Sequence, residues 1–260
     1  MTRSNASTAR WRGSAEVTLV LATQAPGEPE IFASVQGEGP SAGEPVAFVR
    51  LSRCNLACVW CDTAYTWHFT GDERPHRSGE TFDRRANQVV LDEADVAARI
   101  AALGRNRLVI TGGEPLMQAG PLAAMLEHVP DMAVEIETNG TVAPPAALDA
   151  RVTQYNVSPK LSHSGNSAEL ALKPNMLDRW ARDERAYLKF VIAEPADVEE
   201  ALALVRRHAV PAERVYLMPE GTDSDTLRSR LTWLAPLADR HGFHVTDRMH
   251  IHLFGDTRGT

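Results

Sequence analysis

Three cysteines stand within eight residues, Cys54-Asn-Leu-Ala-Cys58-Val-Trp-Cys61, and the 260-residue chain has no others. An odd number of thiols so closely spaced is a poor disulfide framework. It points instead to a reducing compartment and a metal or redox site. The C-x3-C-x2-C loop begins one residue after a β-rich run, Val46–Ser52. Three thiolates on one tight loop suit three corners of a cubane iron–sulfur cluster, which normally takes four cysteines. With no fourth, one iron is open or held by a non-thiol group, and an open iron is a place for a small molecule to chelate. Two other readings stay open. One is a structural zinc held by the three cysteines and a histidine such as His68; the other is three unrelated core cysteines.

A second group is Thr111-Gly112-Gly113-Glu114-Pro115, at the end of the run Arg107–Thr111. Adjacent glycines let a backbone approach a ligand closely, and a carboxylate beside them can accept bonds from an ammonium group. Four more segments punctuate the chain: Ser34-Val35-Gln36-Gly37-Glu38-Gly39, Cys61-Asp62-Thr63, Glu137-Thr138-Asn139-Gly140 and Ser158-Pro159-Lys160. His250 and His252 alternate along an expected strand, so they share a face, and read as packed or surface histidines. Lys173, Lys189 and the acidic stretch Ala196–Glu200 read as solvated charge.

The elements that must position these groups alternate. Strand-like runs are Glu30–Val35, Val46–Ser52, Arg107–Thr111, Ala133–Thr138, Thr153–Ser158, Tyr187–Ala193, Arg214–Met218 and Met249–Phe254. Helical patterns cover Glu93–Leu103 behind an Asp92 cap, Pro121–His128, Pro195–Arg207 and Asp225–His241, the last followed by Gly242. Such alternation predicts βα units and a parallel sheet, and periodicity alone does not choose between an open sheet and a full or partial barrel. Residues 64–89 and 161–172 read as polar loops. Residues 1–28 read as an extension, disordered over the first ~15 residues, and residues 29–260 as one catalytic domain. The hydrophobic fraction is 43 % and the charged fraction 23 %, which excludes a largely disordered, collagenous or coiled-coil chain. No apolar run nears the ~20 residues of a membrane helix. The net charge of −7 gives no support to nucleic-acid binding. With no secretory h-region, the cytoplasm is the expected location.

C-x3-C-x2-C followed by TGGEP resembles the radical S-adenosylmethionine (SAM) superfamily. With SVQGEG, CDT, ETNG and SPK in order, the chain from about residue 30 onward resembles the 7-carboxy-7-deazaguanine synthases of 7-deazapurine (queuosine) biosynthesis. This resemblance implies an α/β fold, an incomplete (β/α) barrel of the radical SAM type. It implies a [4Fe-4S] cluster on Cys54, Cys58 and Cys61, SAM on the open iron, and Mg2+ on the hard oxygen of Thr63. It places substrate at Val35, Gln36, Gly37, Glu38, Arg50 and Thr111, with the Arg50 fork on a carboxylate. It places SAM at Gly113, Glu114, Glu137, Ser158, Pro159 and Lys160, and more loosely at Met218, Pro219, Glu220 and Gly221. The implied reaction turns 6-carboxy-5,6,7,8-tetrahydropterin into 7-carboxy-7-deazaguanine with loss of ammonia. The implied partners are a reducing protein such as a flavodoxin or ferredoxin and a second copy of the chain. Competing readings are another radical SAM reaction, such as activation of a glycyl-radical enzyme, and a non-catalytic zinc-binding module.

Overall fold

A computed structural model of the chain describes residues 17–260. Its strands are β1 (Thr18–Ala25), β2 (Glu28–Pro29), β3 (Ile31–Val35), β4 (Pro45–Leu51), β5 (Gln88–Asp92), β6 (Arg107–Gly112), β7 (Ala133–Thr138), β8 (Gln154–Val157), β9 (Ala186–Ile192), β10 (Val215–Pro219) and β11 (His244–Val245). They form one sheet in the order β11-β10-β9-β8-β7-β6-β4-β1-β2, with β3 also on β4 and β5 also on β1. From β4 to β11 every neighbour is parallel. Their order in space is their order in sequence. A doubly wound sheet would reverse direction midway. Without a reversal the crossover helices collect on one face, and the sheet is an open, incomplete (β/α) barrel.

Strand alternation divides this sheet into two chemically different faces. Ala47, Val49 and Leu51 of β4, Leu108 and Ile110 of β6, Val134 and Ile136 of β7, and Leu188, Phe190 and Ile192 of β9 belong to the main core. The helices Glu93–Ala102, Ala119–Glu127, Pro174–Arg182, Pro195–His208 and Ser224–Arg240 cover them, supplying Ile100, Leu122, Met125, Trp180, Leu202 and Leu234. The residues between them in sequence, Arg50, Thr111, Glu135, Glu137, Asn156 and Lys189, lie on the other face. Helix starts follow the expected chemistry. The Asp92 side chain accepts from Asp95 N at 2.7 Å, and a capping box joins Glu194 and Asp197.

Three expectations are corrected. The extension does not run to residue 28, because Thr18–Ala25 is β1, with Leu19, Leu21 and Ala22 fully buried. The side chain of Gln118 stitches β1 to the sheet. It accepts from Val20 N at 2.8 Å and donates to the carbonyls of Val20 and Ser52. The disorder expected over the first residues lies outside the described part. Met249–Phe254 is a helix rather than a strand, since β11 already occupies the sheet position beside β10. Finally, the polar stretch 64–89 contains the helical turns Ala64–Thr66 and Arg84–Asn87 and opens β5, which pairs with β1.

If β1 is integral to the core, Leu21→Ala should cost about 2–5 kcal/mol, as for other fully buried leucines. The check is the urea midpoint, and a wild-type midpoint would show β1 to be an appendage.

Candidate active site

A cavity of about 470 Å³ opens at the C-terminal ends of β4 and β6–β10, the edge where parallel sheets hold ligands. Cys54, Cys58 and Cys61 all line it. Three neighbouring segments hold their loop. Ala57 N donates to Asn166 Oδ1 at 2.9 Å and Val59 N to Ser164 O at 2.9 Å. Arg77 N donates to Val59 O, and His76 Nε2 meets Cys61 O at 2.8 Å. Asn139 Nδ2 donates to Asn55 Oδ1 at 2.9 Å. Donors also reach the sulfurs: Asn166 Nδ2 lies 3.4 Å from Cys58 Sγ, and Leu56 N 3.5 Å from Cys54 Sγ. Burial is the main cause that pushes the Cys54 thiol up to about 12 and Cys58 to about 11, and it raises Cys61 too. Held together as thiolates, the three need a cation beside them. The donor set fits three corners of an iron–sulfur cluster, and hydrogen bonds to sulfur tune such a centre. No group of three or more His, Cys, Asp or Glu among the described residues converges on a single ion. His68 pairs its Nδ1 with Glu80 O at 2.6 Å.

The TGGEP turn packs directly under this loop. A Cβ on Gly112, where φ is +130°, would fall 2.1 Å from Leu51 O; one on Gly113 would fall 2.0 Å from Arg53 O. The two glycines therefore first serve the contact between the ends of β4 and β6. Gly113 N donates to Leu51 O and Glu114 N to Arg53 O. Glu114 is fully buried, and its carboxylate accepts from Leu116 N, Thr138 Oγ1 and Asn139 N at 2.7–3.0 Å. Glu114 does not itself line the cavity, and these bonds tie the turn to β7.

Polar groups fill the rest of the barrel interior. Gln36 Nε2 donates to Glu135 Oε1 at 2.7 Å and to Glu137 Oε1 at 3.1 Å, while Thr111 Oγ1 donates to Glu137 Oε2 at 2.8 Å. Ser41 and Asn156 also donate to Glu135. Burial is the main reason the Glu135 carboxyl is raised. On the opposite side Glu38 bridges Lys189 and Arg248, and Arg248 also reaches Asp62 and, at 2.6 Å, Gly221 O. Burial would raise Glu38, but the two cations outweigh it and hold the carboxyl well below the usual range. Arg50 lines the cavity with its Nε on Glu30 Oε1 at 2.8 Å. Lys160 Nζ donates to Ser158 Oγ at 2.8 Å and sits 5.6 Å from the Trp60 ring centre.

Comparison with known proteins agrees with this geometry. Residues 49–230 match the radical SAM superfamily. A 7-carboxy-7-deazaguanine synthase of Pyrobaculum aerophilum is 36 % identical over 88 % of this chain and 95 % of its own. One of Halobacterium salinarum is 34 % identical over 89 % of this chain and 91 % of its own. The crystal structure of QueE from Escherichia coli superposes with a TM-score of 0.61 at 25 % identity, covering 90 % of this chain and 95 % of that one. The chain belongs to the 7-carboxy-7-deazaguanine synthase family. That membership leaves the zinc-module and glycyl-radical-activase readings without support.

Of the residues the family resemblance singled out, Val35, Gln36, Gly37, Glu38, Arg50, Thr63, Thr111, Gly113, Glu137, Ser158, Lys160 and Met218 line the cavity with the cysteines. Gly37 also leaves room for the C-terminal helix, because a Cβ there would meet His250 Nδ1 at 2.3 Å. Pro159 is buried and does not line the cavity. Pro219, Glu220 and Gly221 border a small adjoining cleft that shares Trp60, Asp62, Val191, Met218 and Arg248 with the cavity, and Glu220 is held by Arg77 and Arg230 at 2.5–2.6 Å. Lys189, read from sequence as solvated, is only 6 % exposed. Glu30, Asp62, Asn156, Arg248 and His250 were also missed as lining residues. A usable signal existed for some. A lone lysine in AYLKFVI, or a polar residue at every second place in AVEIET and QYNV, marks the face turned away from the helices.

Three outcomes follow for this family member. Gly113→Ala should destabilise by about 3 kcal/mol or more through backbone displacement, seen as a fall in the urea midpoint. An unchanged midpoint would contradict the close approach. Removing one partner of a buried ion pair should cost ~3–5 kcal/mol, so Lys189→Met should be more harmful than Lys189→Met with Glu38→Gln. Because Glu38 is lowered from 4.5 in the fold, its contribution is complete above that value and fades as pH falls toward the lowered one. The stability gap between wild type and Glu38→Gln should therefore shrink between pH 6 and pH 3 in paired urea titrations.

Proposed function

We propose that the chain converts 6-carboxy-5,6,7,8-tetrahydropterin into 7-carboxy-7-deazaguanine with release of ammonia, in 7-deazapurine biosynthesis. The observation that carries this reading is the pairing of Arg50 and the three cysteines across one cavity. Arg50 Nε is bound by Glu30, and its two terminal nitrogens have no protein partner among the described residues. That edge suits a carboxylate, which a guanidinium grips in two-point fashion. When bound, a [4Fe-4S] cluster on Cys54, Cys58 and Cys61 together with SAM supplies one-electron chemistry that removes a hydrogen from the substrate carbon bearing that carboxylate.

The chain's own part is orientation. The Arg50 fork fixes the carboxylate end of the pterin. The Glu137 carboxylate, held between Gln36 and Thr111, presents acceptors to the ring's N–H groups. The Glu38–Lys189–Arg248–Asp62 cluster closes the far wall with matched charge. Gly113, Ser158 and Lys160 offer contacts for SAM near the cysteine loop. Thr63 Oγ1, 3.6 Å from Cys61 Sγ, is a hard donor suited to Mg2+, whose other ligands would be waters and the substrate carboxylate. The reading further takes a flavodoxin- or ferredoxin-like protein as reductant, a homodimer as the assembly and the cytoplasm as the location. Among the described residues no helix is long and apolar enough to cross a membrane.

The test is anaerobic turnover of reconstituted protein with SAM, Mg2+, reductant and the tetrahydropterin, with product read by mass. Product should form, vanish in Cys58→Ala, and fall by roughly 100-fold in kcat/KM in Arg50→Ala, the scale expected for a misplaced substrate. Chelation of Mg2+ should lower the rate reversibly. Cleavage of SAM without pterin product would keep the superfamily chemistry and discard this substrate.

A further inference from the structure

Glu30, between β2 and β3, is fully buried and carries a role no motif announces. Its Oε1 accepts from Arg50 Nε at 2.8 Å, with Gly259 N at 3.4 Å. Its Oε2 accepts from Tyr65 Oη at 2.8 Å. Its main-chain carbonyl accepts from Arg50 N at 3.0 Å. One residue thus holds both the backbone and the guanidinium of Arg50. A guanidinium has two edges that can grip a carboxylate, one that includes Nε and one formed by the two terminal nitrogens. With Nε committed to Glu30, only the terminal edge is left, and Arg50 lies on the cavity wall.

The same carboxylate ties this edge to the end of the chain. Tyr65, bound to Oε2, lies under the Arg258 guanidinium at 3.6 Å from its ring centre. Arg258 in turn donates to Asn87 Oδ1 at 2.8 Å and Thr23 O at 3.2 Å. Thr257, Arg258 and Thr260 reach the cavity wall beside Arg50. Glu30 is therefore the junction between the substrate-facing arginine, the turn after the cysteine loop and the C-terminal segment.

We propose that Glu30 is the positioning residue for Arg50, dictating which edge of the guanidinium meets the substrate carboxylate. The inference rests on the reading of Arg50 given under the proposed function. A buried ion pair that served only stability would affect every ligand alike; a positioning pair affects only ligands that carry the carboxylate.

The experiment titrates cluster-reconstituted protein with SAM present, anaerobically, following the fluorescence of 6-carboxypterin and of pterin without the carboxyl. Wild type should prefer the carboxylated ligand by about 10-fold or more, as a two-point charged contact implies. Glu30→Gln keeps the shape and removes the charge. It should lose most of that preference while its affinity for plain pterin stays within about 2-fold, the contact being local. Combined with Arg50→Lys, it should show no further loss, since the two residues act as one unit. Tyr65→Phe, which removes the tyrosine's bond to Glu30 and leaves the Arg50 pair in place, should give a smaller loss in the same direction. Equal weakening of both ligands in Glu30→Gln, or additive losses in the double variant, would overturn the proposal. A wild type that binds both pterins alike would overturn the Arg50 reading and this inference together. A wild type that discriminates, with a Glu30→Gln variant that discriminates equally, would overturn this inference alone.

Discussion

Where β4 and β6 end, the backbones of Leu51–Arg53 and Gly112–Gly113 run so close that a methyl group on either glycine would strike a carbonyl oxygen at 2.0–2.1 Å. The cysteine loop and the turn after β6 take their relative position from this contact. It brings the start of the cysteine loop against the turn that follows β6. It turns Arg53 into a left-handed conformation, φ 76°, at the residue before Cys54. It also drives Glu114 inward, where Thr138 and Asn139 of the next strand and turn bind it. From there Asn139 reaches Asn55 inside the cysteine loop. The loop that would carry iron is thus braced from outside, by the turn after β6 and by the side chains of Asn139, Asn166 and His76.

The second constraint is the division of the sheet into an apolar outer face and a polar inner one. Burying Glu38, Lys189, Arg248, Glu135 and Glu30 is costly unless each finds partners. Here each does. Glu38 has two cations, Glu135 three side-chain donors, and Glu30 an arginine and a tyrosine. Charge is matched in the Glu38–Lys189–Arg248–Asp62 cluster and the Glu30–Arg50 pair, while Glu135 and Glu137 rest on neutral donors with Arg107 3.6 Å from Glu135. A polar interior that is already hydrogen-bonded presents fixed dipoles to a ligand and needs little rearrangement when one arrives.

The first strand and the C-terminal segment meet at this site. β1 lies against β4 and β5, and the C-terminal segment crosses back to it through Arg258 and Thr23. Arg248 and Met249 fasten the last helix to the loop of Gln36–Glu38, through Glu38 and the Gly37 carbonyl. Segments far apart in sequence therefore share the enclosure of one cavity.

Much of this was legible in the residues themselves. The cysteine spacing, TGGEP, ETNG and SPK identify the family because ligand chemistry demands local backbone geometry, and local geometry is written in short motifs. Seven of the strands and four helices were visible because burial on one face repeats at the period of the element. What only the tertiary structure decided was pairing. Thr18–Ala25 looked like a tail because its partners, β4, β5 and the Gln118 side chain, are remote in sequence. Met249–Phe254 alternates well enough for a strand, yet the position beside β10 was already filled. Glu30, Lys189 and Arg248 looked like ordinary charges, since whether a charge faces water or another charge depends on the curl of the sheet. The sequence holds which chemistry the chain contains; the fold determines which charges meet, because that depends on distances across the barrel and not along the chain.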